Sequence, residues 1–201
     1  MNGGAEDAAD PDRRKLLQQV GIAAGGLALA GVSYPFLLSL VPSRRVRALG
    51  GPVEADLSKI APGALATLEW RGKPVWIVHR TPDMLARLQS VRTELSDPDS
   101  KVSSQQPRYA ANAARSVRPE FFVSVGLCTH LGCVPTFQPA AGSLQPGWPG
   151  GFYCPCHGSK FDLAGRVFSG SPAPINLLVP RYSFASPQQL VIGRDSEGEA
   201  A

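Results

Sequence analysis

An all-β domain with one short helix, carried behind a single transmembrane helix, is the fold class this sequence predicts. Three observations predict it. An uncharged apolar stretch near the N-terminus is long enough to span a bilayer, short β-rich runs broken by glycine and proline fill most of the remainder, and only one later segment reads as a helix. The chain has 201 residues, 43% of them hydrophobic, which is room for one domain of ordinary size plus the apolar segment. Its 21 glycines and 19 prolines suit many strands joined by tight turns better than a helical bundle. The net charge of +4 is modest, and the basic residues are clustered only beside the apolar run, not in an aromatic-interleaved patch, which argues against nucleic acid as a partner.

Residues 1–12 are polar and acidic and read as a disordered cytoplasmic tail. Arg13, Arg14 and Lys15 then precede an uncharged run from Gln18 to Ser43, so residues 13–43 read as a twin-arginine export signal and membrane anchor. Its apolar core, Val20 to Val41, would span roughly 33 Å as a helix. Ala28-Leu29-Ala30 offers a small-residue cleavage site, but the apolar run continues well past it, which favours a retained anchor. Arginines at both ends (Arg13 and Arg14, then Arg44, Arg45 and Arg47) balance one another. Orientation therefore rests on the export signal: a single pass through a bacterial inner membrane, N-terminus in the cytoplasm and domain in the periplasm. Gly21-x-x-x-Gly25 is either a helix-packing face or a glycine-rich piece of helix. Residues 44–52, ending in Gly50, Gly51 and Pro52, read as a flexible hinge.

The domain is expected over residues 53–194, with 195–201 a C-terminal tail. Val53 to Leu57, Leu65 to Trp70 and Lys73 to His79 have strand character, the last two joined by a turn at Arg71-Gly72. Thr81 as cap and Pro82 in the first turn open a helix through Met84 to Leu88. The polar segment Ser96 to Ser116 reads as a surface insertion. Further strands are expected at Phe121 to Val125, Gly151 to Tyr153, Lys160 to Leu163, Tyr182 to Ala185 and Gln189 to Ile192. His79 reads as a structural or surface histidine rather than a ligand, and Trp70, Trp76 and Trp148 as core or surface packing.

Two motifs carry the chemistry. Cys128-Thr129-His130-Leu131-Gly132-Cys133 and Cys154-Pro155-Cys156-His157-Gly158-Ser159 contain all four cysteines and two of the three histidines. The cysteines alone are compatible with two disulfides, a metal site, or one of each. Six soft ligands are too many for one tetrahedral zinc. A 2Fe-2S cluster held by two cysteines and two histidines, with the other cysteine pair oxidised in a periplasm that permits disulfides, uses every residue.

These motifs resemble those of the Rieske iron–sulfur proteins of bacterial quinol–cytochrome c oxidoreductase (cytochrome bc) complexes. The resemblance continues through Gly165-Arg166-Val167, Pro172-Ala173-Pro174-Ile175-Asn176-Leu177 and Trp70-Arg71-Gly72-Lys73-Pro74-Val75. It implies a Rieske domain of small antiparallel sheets with a cluster-binding subdomain whose loops lie within residues 126–176. Cys128 and Cys154 would bind one iron of a 2Fe-2S cluster and His130 and His157 the other, while Cys133 and Cys156 form a disulfide between the loops. His157 would contact quinol. Ser159 would donate to a bridging sulfur, and Leu131 and Pro172 would lie over the cluster. Phe161 stands where many relatives have a tyrosine that donates to a ligand sulfur, and Gly170-Ser171-Pro172-Ala173-Pro174 is one residue longer than the common loop.

By the same resemblance the protein would be a catalytic subunit of a quinol–cytochrome c reductase in a dimeric complex, with quinol, a cytochrome b subunit, a membrane-bound cytochrome c subunit and the lipid bilayer as its partners. Imidazole ligands raise the potential of the site and can gain a proton on reduction, which couples electron uptake to proton uptake. The alternative is the Rieske small subunit of a periplasmic oxidoreductase such as arsenite oxidase. A soluble Rieske ferredoxin would lack the second cysteine pair, and a zinc-stabilised binding module would have no redox role.

Overall fold

A computed structural model of the chain describes residues 11–43 and 50–195. The expected tails at 1–10 and 196–201, and residues 44–49 of the expected hinge, lie outside them. The chain divides into two units, Met1–Arg47 and Ala48–Ala201.

In the first unit, α1 (Pro11–Ser39) has none of its side chains buried and is long and apolar enough to cross a membrane. Pro11 fixes the backbone of the first turn, and Asp12 complements the positive end of the helix dipole. Residues 11 and 12 are therefore helical, not part of a disordered tail. The helix ends before Ser43: Leu40 and Val41 donate to the carbonyls of Leu37 and Leu38, tightening the last turn at 3.2 and 3.1 Å.

The second unit is built from three three-stranded antiparallel sheets. The first contains β1 (Val53–Asp56), β9 (Gln189–Ile192) and β8 (Tyr182–Ser186), in that order. β1 stops at Asp56 because its carboxylate accepts from the Ser58 amide at 3.0 Å and caps a single 3-10 turn, Leu57–Lys59. The second sheet is the meander β2 (Leu65–Trp70), β3 (Lys73–His79), β4 (Phe121–Val125). The β2–β3 turn falls at Arg71-Gly72, where both residues have positive φ. The third sheet joins β5 (Thr136–Gln138), β6 (Gly151–Tyr153) and β7 (Lys160–Asp162), and it supports the two motif loops. α2 (Pro82–Ser90) begins where the sequence places it, with the Thr81 hydroxyl accepting from Met84 N.

Among the described residues, one main hydrophobic core draws on all three sheets, with Ala55, Tyr182, Leu190 and Ile192 contributed by the first. Val75, Ile77, Phe122 and Val123 meet Phe152, Phe161 and Leu163, and Trp76 stacks on Phe152 at 5.0 Å between ring centres. Gly126 is required at this contact, since a β-carbon there would lie 2.4 Å from the Trp76 ring. His79 is a packing residue: its Nδ1 is 2.7 Å from Ile60 O and its ring stacks on Phe121.

Three further expectations are corrected. The Ser96–Ser116 segment is not merely a surface insertion, because Gln106, Ala110, Arg115 and Ser116 are buried. Its polarity reflects internal bonding: Arg115 donates to Gln105 O, to Gln106 Oε1 and to Leu177 O across the domain. Asp195 belongs to the domain rather than a tail, with Oδ2 2.9 Å from Arg181 Nη1. Finally, the expected hinge residues Gly50 and Gly51 are held to the domain. The Trp70 indole donates to Gly51 O at 3.0 Å, and Arg71, lying over the Trp70 ring, donates from Nε to Gly50 O at 3.3 Å. Pivoting at these glycines requires that clasp to open.

Candidate metal centre

The two motif loops are near-copies of one another in backbone geometry. In the first, Cys128 N donates to Cys133 O at 2.7 Å and Gly132 N to Cys128 O at 2.9 Å. In the second, Cys154 N donates to Ser159 O at 2.8 Å and Gly158 N to Cys154 O at 2.9 Å. Each is thus a six-residue loop closed between its first and sixth residues and bonded from its fifth back to its first. The fifth residue has φ +79° in both, which is why glycine stands there. The first loop follows β4 and the second connects β6 to β7, so both rest on sheet ends packed against the shared core.

A disulfide between Cys133 and Cys156 ties the loops to each other. Because those residues hold the sixth position of one loop and the third of the other, the bridge crosses between the loops rather than closing either. The remaining cysteines, Cys128 and Cys154, are free and buried, 3% and 2% exposed. The Sγ atoms of Cys133, Cys154 and Cys156 all lie within 4.8 Å of one another. Burial pushes the Cys154 thiol up; the backbone amides of Cys156 and His157 oppose that, and the adjacent Cys128 adds to it. On the outer side the His130 and His157 rings meet edge to face with centres 4.8 Å apart. His157 is exposed and His130 half-buried.

This donor set fits a two-iron cluster. Two thiols lie together inside, two imidazoles lie together outside, and amide donors are aimed at a sulfur that would carry negative charge as a ligand. The disulfide removes the other two cysteines from the ligand count. Burial of the sulfurs and exposure of the imidazoles give the site a protected end and a solvent-facing end.

A third loop closes over this arrangement. Ser159, wholly buried, accepts at Oγ from Ala173 N at 3.0 Å, leaving its hydroxyl proton free to point elsewhere. Pro172 is exposed on the same loop, and Leu131 at the tip of the first loop is 72% exposed. Ser171, the additional residue, is accommodated by the strand beside it: its Oγ accepts from Lys160 N at 3.2 Å and donates to Lys160 O at 3.4 Å. Thr129, which sequence reasoning did not single out, donates to Ile175 O at 2.6 Å and joins the first loop to the third. A threonine inside a motif gives no signal of such a partner 46 residues away. Phe161 is fully buried and forms an isolated bridge with Val167, and it has no hydroxyl to offer a ligand sulfur.

A sequence profile of the Rieske [2Fe-2S] domain matches residues 56–183 of the chain. Over 91% of its length the chain is 50% identical to the ubiquinol–cytochrome c reductase iron–sulfur subunit of Allochromatium vinosum, covering 89% of that protein. It is 37% identical over 94% of its length to the protein of the same name from Bradyrhizobium diazoefficiens, covering 98% of it. Among solved structures, a chain of a hyperthermophilic respiratory Complex III aligns with a TM-score of 0.45 at 26% identity, covering 86% of this chain and 98% of that one.

Proposed function

The chain belongs to the Rieske [2Fe-2S] domain family, and from that premise we propose that it is the electron-transfer subunit of a quinol–cytochrome c oxidoreductase. The observation that carries the reading is the polarity of the metal centre, with thiols buried and imidazoles facing out, on loops locked by Cys133–Cys156. The names of the relatives above, matched over most of both chains, support the choice of complex.

When bound, the 2Fe-2S cluster supplies a one-electron acceptor of relatively high potential, because imidazoles replace two thiolates on one iron. Cys128 and Cys154 would hold one iron of that cluster and His130 and His157 the other. His157, the more exposed of the two histidines, presents its ring edge to a quinol hydroxyl and receives that proton at the ring nitrogen not bound to metal. Leu131 supplies apolar cover at the contact and keeps water from the proton path. Ser159, whose Oγ accepts from Ala173 N, would have its hydroxyl proton available to a cluster sulfur, and Pro172 on the same loop would lie over the cluster.

In this reading the quinol sits in a cytochrome b subunit, the acceptor is a membrane-bound cytochrome c subunit, and the complex is dimeric. α1 is a retained single-pass anchor delivered by the Arg13-Arg14 signal, with its N-terminus in the cytoplasm and the domain in the periplasm. The expected hinge, residues 44–52, lets the domain visit donor and acceptor in turn, its Gly50 and Gly51 taking part when their contacts with Arg71 and Trp70 open.

The test is twofold. The purified chain should show the visible and EPR spectrum of a Rieske centre; a colourless, zinc-containing protein would exclude the reading. In membranes, quinol should reduce the centre and a quinol-site inhibitor should block that step. Inhibitor-insensitive reduction would point instead to a periplasmic oxidoreductase.

A further inference from the structure

Three of the largest fully buried side chains in the domain are arginines: Arg80, Arg115 and Arg166, at 2%, 0% and 1% exposure. Arginine is almost never fully buried without a charged partner, yet the one buried carboxylate beside them is Asp162, at 1%. Asp162 takes a two-point contact from Arg166, Nε at 2.8 Å and Nη2 at 2.7 Å. The other two guanidinium groups bond uncharged oxygens, and Arg115 Nε is left without a partner among the described residues. Arg80 donates to Pro119 O, Ala114 O, Leu163 O and Ser116 Oγ. Arg115 donates to the carbonyls of Ala164, Gly165, Gln105 and Leu177 and to Gln106 Oε1. Asp97 and Glu120, the next acidic groups to act on these arginines, are only half-buried at the margin of the domain. Burial pushes both Arg80 and Arg115 down to about 10, which leaves them charged at neutral pH. Three positive charges and one negative leave two in excess.

Their place is as informative as their sign. All three side chains converge on the turn from Asp162 to Arg166, which directly follows β7. Ser159, three residues before Asp162, pairs with Cys154, so about 10 Å of extended strand separates the turn from a cluster-ligand position. Arg80 also lies over the Phe122 ring on β4, the strand that leads to Cys128. Charge held inside the protein is screened far less than charge at its surface. An electron arriving at the site is therefore attracted by a fixed positive field.

We propose that Arg80, Arg115 and Arg166, set against Asp162 alone, form a permanent positive charge behind the metal centre that raises its reduction potential. The inference rests on the site holding a redox cluster and is independent of which donor or acceptor it serves.

The experiment is an EPR-monitored redox titration of the full chain in detergent, with thermal melting recorded on the same samples. Arg115→Gln should lower the reduction equilibrium constant about tenfold, a fall of about 59 mV for one electron. Arg115→Lys, which keeps the charge and loses the hydrogen-bonding fork, should melt earlier with its potential nearly unchanged. Asp162→Asn should move the potential upward while also destabilising the fold. That opposite sign separates a field from a scaffold, and it decides the matter even where Arg115→Gln yields too little folded protein. Lower melting temperatures with unmoved potentials in Arg115→Gln and Asp162→Asn would overturn the inference alone. A parent protein without a 2Fe-2S signal would overturn it together with the family reading.

Discussion

Phe161 is the position at which we expect a single side chain to tune the proposed cluster. Its ring is fully buried, packed among core residues and bridged to Val167, in the strand that carries Ser159 and Lys160 toward the ligands. A tyrosine here would add a donor directed at a ligand sulfur, and a hydrogen bond to a sulfur stabilises the reduced, more negative state. A net contribution of about 1 kcal/mol corresponds to roughly 40 mV for a one-electron couple. Phe161→Tyr is therefore expected to raise the midpoint potential by about that amount, measured by voltammetry on the detergent-solubilised chain. An unchanged potential would mean that the hydroxyl finds another partner or none. Lys160 and Ser171 make the complementary point: an extra residue in the third loop is absorbed by two hydrogen bonds to the backbone of its neighbour, so Ala173 still reaches Ser159.

At the scale of elements, the disulfide makes two similar loops into one rigid support. It closes a segment 23 residues long, for which chain-entropy arguments give about 3 kcal/mol of stabilisation. Replacing both cysteines (Cys133→Ser with Cys156→Ser) should lower stability to denaturant by about that amount. The single change Cys133→Ser should do worse, because it leaves the Cys156 thiol within 4.8 Å of Cys154 as a competing ligand or disulfide partner. Non-reducing mass mapping would reveal that mispairing, and a single variant as well behaved as the double would count against it. The elements themselves were legible in the sequence to the extent that they follow local rules. β2, β3 and β4 alternate or are rich in β-branched and aromatic residues, and α2 begins with a threonine cap and a proline; all fall where expected. β5 was missed because Thr136-Phe137-Gln138 is too short for a pattern, and it exists through pairing with β6. The ligand motifs were legible because scarce residues were concentrated in them. The buried arginines were not, since a charged residue in a polar segment ordinarily signals a surface, and only the carbonyls that the fold gathers around Arg115 make its burial tolerable.

For the whole molecule, the question is where freedom between anchor and domain resides. The glycines at 50 and 51 suggest a pivot by composition, yet their carbonyls are held by Trp70 and Arg71 at the turn of the β2–β3 hairpin. Gly193, at φ +91°, packs against the same indole, where a β-carbon would lie 2.8 Å from Nε1. The indole is therefore fixed from two sides, and the domain's grip on its own tether extends to Gly50. A pivot at Gly50 or Gly51 therefore requires that clasp to open. Replacing residues 44–49 with six prolines, a stiff extended spacer, should cut quinol-driven cytochrome c reduction about tenfold or more if domain travel gates turnover. The spectrum of the metal centre and its melting temperature should not change, because the motif loops and the hydrophobic core are built from residues after Pro52. Trp70→Phe removes the donor to Gly51 while keeping an aromatic surface for Arg71, so in the proline background it should restore part of the lost rate by freeing Gly51. Stopped-flow measurement of cytochrome c reduction in membranes carrying the assembled complex distinguishes the outcomes. Full turnover with the proline spacer would place the pivot at the glycines or remove the need for one, and failure of Trp70→Phe to recover any rate would show that the clasp does not restrain the domain.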